Sequence, residues 1–112
     1  MVKRIASDYD SELDIFHVYL EDIKNGIKGC ISIGDFNIDI GNDNKIVGME
    51  VEQASNNLGV SPDILSSPNE VDLIIRKSGN VLFMGVKVIK GEIKAFTNVT
   101  TMHNQELIQF AN

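Results

Sequence analysis

The sequence predicts an α+β fold: antiparallel β-hairpins in a twisted sheet or partly closed barrel, packed against a short helical segment near residues 52–66. Three observations predict it. Apolar and polar residues alternate with a two-residue period over most of the chain, which puts one face of a strand in a core. Short clusters of Gly, Asn, Asp and Ser punctuate these runs, as hairpin turns require. The period lengthens to that of a helix once, after Val51.

In chain order, Lys3–Ser7 reads as a first strand and Tyr9–Glu12 as a polar turn, because Asp and Ser bond the backbone two residues on. Asp14–Leu20 has the β-branched and aromatic composition of a strand. Phe16, Val18 and Leu20 mark its core side, and Ile15, His17 and Tyr19 a half-wet one. Residues 21–29 read as a loop with Asn25-Gly26 as its turn, and 29–34 as a short strand. The central hairpin follows. Phe36, Ile38 and Ile40 alternate with Asn37 and Asp39, and Val47, Met49 and Val51 repeat the period on the return. The turn Gly41-Asn42-Asp43-Asn44 joins them, with Gly41 expected at positive φ.

Val51, Ala54 and Leu58 lie at helical spacing, and Gly59 is placed to end that turn. Ser61-Pro62-Asp63 carries the start signals of a second helical turn, which Pro68 ends. Val71–Lys77, Val81–Lys90 and Ile93–Thr100 then form a three-stranded meander across turns at Ser78-Gly79-Asn80 and Gly91-Glu92. The tail, His103–Asn112, fits either a last helical turn or an edge strand. Ile46–Val51 echoes Phe83–Val88, each with a glycine at its third position, and two independent hairpins explain this as well as duplication does.

A chain of 112 residues favours one domain spanning 1–112. At that size about 65% of the unfolded surface is buried, enough for a core without staples. No apolar run reaches the roughly 18 residues of a membrane span, and the N-terminus turns acidic too early for a signal peptide. Cys30 is the one cysteine, so no internal disulfide is expected. These features predict a cytoplasmic protein. The net charge of −6 is uneven: residues 1–70 hold five cations against thirteen carboxylates, and residues 71–102 five against two. An overall pI near 4.7 disfavours nucleic acid as the partner.

Tyr9-Asp10, Asp14 with Ile15-Phe16, Asp39 before the central turn, and Ile46-Val47-Gly48-Met49-Glu50-Val51 followed by Ala54-Ser55 occur in fixed order. In these residues the stretch from Arg4 to about Leu58 resembles a small prokaryotic family known as domain of unknown function 2283. The resemblance implies a small β-rich fold with a helix and no assigned activity. It divides the chain into a family-like half, 1–58, and an extension, 59–112, holding the second helical turn and the meander. Asp43-Asn44 stands where the family tends to have Asp-Gly.

Three chemistries merit weighing. Asp8, Asp10, Glu12 and Asp14 crowd one turn, and Asp39, Asn42, Asp43 and Asn44 another. A divalent-cation site would be sought at Asp10, Asp14, Asp39 and Asp43, because Ca²⁺ takes six to eight oxygens. No EF-hand order is present, and turn chemistry alone accounts for these residues. His17, His103 and Cys30 are the only imidazoles and thiol, without a local signature of a nucleophile, a phosphate loop or a cofactor. No catalytic residue and no cofactor is therefore expected, and a small-molecule enzyme is the least favoured reading. Long strands apolar on one face favour association instead. The expected partner is a second copy in a homodimer, or a basic protein drawn to the acidic half; Lys87, Lys90 and Lys94 read otherwise as guards of a sheet edge.

Overall fold

The computed structural model describes residues 4–23 and 26–102. The expected strand start at Lys3, the residue Asn25 and the tail 103–112 lie outside them. Ten elements follow in order: β1 (Ile5–Asp10), β2 (Ile15–Leu20), β3 (Ile27–Ile33), β4 (Phe36–Gly41), β5 (Ile46–Val51), α1 (Ala54–Leu58), α2 (Pro62–Ser66), β6 (Glu70–Ser78), β7 (Val81–Lys90) and β8 (Ile93–Met102). The strands form a five-stranded sheet in the order β1-β2-β5-β4-β3 and a three-stranded sheet in the order β6-β7-β8. Every pairing is antiparallel. The α+β expectation stands, and among the described residues both sheets are open and neither closes into a barrel.

One hydrophobic cluster joins the two sheets and both helices. It takes Phe16, Val18, Ile38, Ile46, Met49 and Val51 from the first sheet, Ala54, Leu58 and Leu65 from the helices, and Leu82, Met84, Val86 and Val88 from β7. The alternation that marks these residues in the sequence is the cause, since a strand with one face on a core buries every second side chain. Among the described residues no helix is long and apolar enough to cross a membrane.

Several local expectations are corrected. β1 runs through Tyr9 and Asp10, where a turn was expected from Tyr9 on. Tyr9 stays in the strand because its ring packs near Phe16, with centroids 6.3 Å apart. Asp10 ends the strand by accepting the Glu12 and Leu13 amides, both at 3.0 Å. β3 begins at Ile27, inside the expected loop. Gly41 is not among the residues with positive φ; Asn44 is, at 64°. Asn tolerates the left-handed region, and Gly41 serves space instead, since a Cβ there would stand 2.8 Å from Asp43 Oδ1.

A bulge in the central hairpin changes the expected face of Val47. Ile40 pairs with Ile46 and Asp39 with Gly48, so Val47 is the extra residue. Ile46 consequently joins the core cluster, while Val47 is buried outside it. The helical segment keeps its two pieces, with Gly59 at φ 67° ending the first. Ser61 opens the second in extended conformation, but its side chain makes no capping bond; its carbonyl accepts the Ile64 amide at 3.1 Å. β7 is the central strand of its sheet, so Lys87 and Lys90 cannot guard an edge. Lys90 Nζ instead donates to the Ser67 carbonyl at 2.7 Å and ties the end of α2 to β7.

Candidate functional site

The outward face of the five-stranded sheet gathers most of the polar chemistry. Cross-strand register sets Asp8, His17, Glu50, Asn37 and Ser32 abreast in one row. The next row reads Ala6, Tyr19, Gly48, Asp39 and Cys30. His17 and Asp39 therefore stand in different rows with β5 between their strands. They still meet: His17 Nε2 lies 2.6 Å from Asp39 Oδ2.

Gly48 makes that meeting possible. A Cβ at Gly48 would lie 2.6 Å from Asp39 Oδ2 and 3.2 Å from Tyr19 Cβ. The missing side chain is the channel through which imidazole and carboxylate reach each other. Tyr19 flanks the pair, its ring 4.8 Å from that of His17. His17 is 30% exposed and Asp39 8%. The bond to Asp39 raises the His17 pKa above its ordinary value, burial opposes this, and Glu50 and Asp8 add further attraction. The arrangement favours the protonated form of a partly exposed imidazole on a face where Asp8 and Glu50 stand beside it.

A second constellation lies at the β1–β2 turn. Asp14, itself at φ 54°, accepts the Tyr9 hydroxyl at 2.6 Å and the Ser55 hydroxyl at 2.7 Å. It also accepts the Ser55 amide at 3.1 Å, and its carbonyl receives the Ala54 amide at 2.9 Å. The Tyr9 bond does most to hold the Asp14 carboxyl below the usual range; burial opposes it, and Ser55 assists. Burial and then the bond to Asp14 push the Tyr9 phenol up to about 12. Gln53, at the start of α1, makes no side-chain cap. Asp14 supplies that function from a distant part of the chain.

The four carboxylates considered for a cation are thus not brought together. Asp10 and Asp14 serve the first turn and α1. Asp43 accepts the Lys45 amide at 3.2 Å within its own turn, and Asp39 holds His17. Among the described residues no three His, Cys, Asp or Glu side chains are grouped to hold a metal ion. Asn44 accepts a bond from Lys28 Nζ. Cys30 is exposed and sits opposite Asp39. Two strands separate it from β2, about 14 Å at the usual strand spacing, so Cys30 and His17 do not pair. His103 lies outside the described residues.

The three-stranded sheet presents a different outward face. Phe83 and Phe96 stack with centroids 6.0 Å apart and planes 18° from parallel. Phe96, 44% exposed, covers Gly85: a Cβ there would fall 2.8 Å from its ring. Gly48 and Gly85, the glycines of the internal echo, thus each vacate the outward face of a strand for a neighbour's side chain, a carboxylate in one case and a ring in the other. Ile74 and Asn98 flank Gly85, and Asp72, Lys87, Arg76 and Lys94 stand around the rings. In the sequence Tyr9, Gly48 and Ser55 stand out as parts of the resemblance, with no role attached, and Phe96 does not stand out. Only the alternation of Phe96 away from Ala95 and Thr97 signalled an outward ring.

Comparison with known proteins gives no match: no family model, curated protein or solved structure is detectably similar to this chain. The resemblance over residues 4–58 therefore rests on those residues alone.

Proposed function

We propose that this chain is a non-catalytic interaction module that pairs with a second copy of itself or with a basic protein. One observation carries the reading. The three-stranded sheet ends on both sides in long regular strands, β6 of nine residues and β8 of ten, with no described strand beyond either. Such edges offer backbone donors and acceptors to another chain. The internal hydrogen bonds of Asp14 and Asp39 support the same reading, because these carboxylates already serve the fold.

A basic partner is favoured separately by the acidic outward face, where Asp8 and Glu50 flank the imidazole of His17. Light scattering across a concentration series, with titration of an oligolysine peptide alongside, tests both arms. A mass rising toward that of a dimer, or salt-sensitive peptide binding, is expected. A monomer at all concentrations that ignores the peptide contradicts the reading.

A further inference from the structure

The outer edge of β6 has a pattern that the other edges lack. Ser78 and Val81 close a two-residue turn with Gly79 at φ 58°, which makes them a hydrogen-bonded pair. Alternation back along β6 then assigns the backbone groups of Arg76, Ile74, Asp72 and Glu70 to β7. Those of Val71, Leu73, Ile75 and Lys77 point to the open side. The Leu73 amide agrees, since its bond is to the Asp72 carboxylate, at 2.9 Å. No described strand pairs with this edge, and a groove of about 480 Å³ separates its start and the residues before it, Pro68–Asp72, from Ile5 and Ser7 of β1.

The charges along the strand are antisymmetric. Glu70 and Asp72 lie at one end, Arg76 and Lys77 at the other, and Leu73, Ile74 and Ile75 between them. Guard charges of one sign would repel a second copy in any orientation. Opposite signs at the two ends do so only for a parallel copy. Turned antiparallel about Ile74, the strand overlaps itself over its whole length and sets Asp72 across from Arg76 twice. In that register Leu73 faces Ile75 and Val71 faces Lys77, which are the residues whose backbone groups point away from β7. Ile74 then faces its own copy, and Asp72 faces Arg76, in the close, non-hydrogen-bonded pairs. β8 has the other long edge, but among its residues Lys94 is the single charge, so it has no such self-complement.

We infer that two copies of this chain join through β6, antiparallel about Ile74, into one continuous six-stranded sheet with reciprocal Asp72–Arg76 ion pairs. The inference rests on the association reading above and adds its surface, partner and register. Asp72 and Arg76 are both exposed, so charge reversal leaves the fold intact. Sedimentation velocity should show a dimer for the natural chain and mainly monomer for Asp72→Arg alone or Arg76→Asp alone, a loss of roughly tenfold or more in dimerisation. An equimolar mixture of the two variants should recover the dimer, because each then faces its opposite. In a Cys30→Ser background, Ile74→Cys should form an intermolecular disulfide on mild oxidation, its Cα separation across the pair falling within disulfide range. Asp72→Cys should not. Single variants that dimerise like the natural chain, or no cross-link at position 74, overturn the β6 interface while association itself survives. A natural chain that stays monomeric yet binds oligolysine overturns the interface and leaves the basic partner. One that does neither overturns both.

Discussion

At Gly48, an added Cβ would meet the Asp39 carboxylate, the Tyr19 side chain and the Val18 carbonyl at once. Asp39 is buried and held by His17, so it has little room to withdraw. Gly48→Ala should therefore destabilise the chain by about 1–3 kcal/mol, as overpacking does, measured by urea unfolding. Gly85→Ala should cost less, because the obstacle there is the far end of the Phe96 ring. Equal costs would contradict this account of the two glycines. His17 adds a pH dependence of definite sign. Its folded pKa is raised, so its contribution is full below the ordinary value of about 6.5 and fades as pH rises through the higher folded value. His17→Asn should remove this loss from the profile measured between pH 5 and 9; an unchanged slope would show that the pair contributes nothing.

At the scale of elements, α1 has only five residues and no cap of its own. A helix that short does not persist without tertiary support, and Asp14 provides it from the β1–β2 turn. Asp14→Ala leaves the Tyr9 hydroxyl, the Ser55 hydroxyl and the Ser55 amide without their acceptor. It should cost about 1–3 kcal/mol, with exchange of the α1 amides speeding more than that of β7. Because the Asp14 pKa is lowered in the fold, its contribution is present above about 3.9 and lost as pH falls through the folded value. Asp14→Asn should flatten that acid limb. The sequence made the elements themselves plain, since alternation and turn residues are local signals. Phe16, Val18, Met84 and Val86 are core residues for the reason their spacing suggests. The bulge at Val47 was not legible, because a one-residue insertion leaves both Ile46 and Val47 apolar and buried. Nor was the role of Asp14: its partner Ser55 is 41 positions away, and a turn aspartate has a sufficient local explanation.

For the whole molecule, the charge asymmetry in the sequence becomes two unlike surfaces. The five-stranded sheet turns outward an acidic face around His17, and the three-stranded sheet turns outward Phe83 and Phe96 among charges of both signs. The sequence showed the imbalance but placed the guarding lysines on an edge; strand order, which no local pattern encodes, puts Lys87 and Lys90 at the centre of their sheet. The association proposed above would use β6, whose charges complement those of an antiparallel second copy. The most direct measurement is amide hydrogen exchange at Leu73 and Ile75 at low and high protein concentration. Exchange at both should slow as concentration rises, while Phe96 and Asn98, on the open edge of β8, keep their rates. Rates at Leu73 and Ile75 that do not change with concentration would contradict the account.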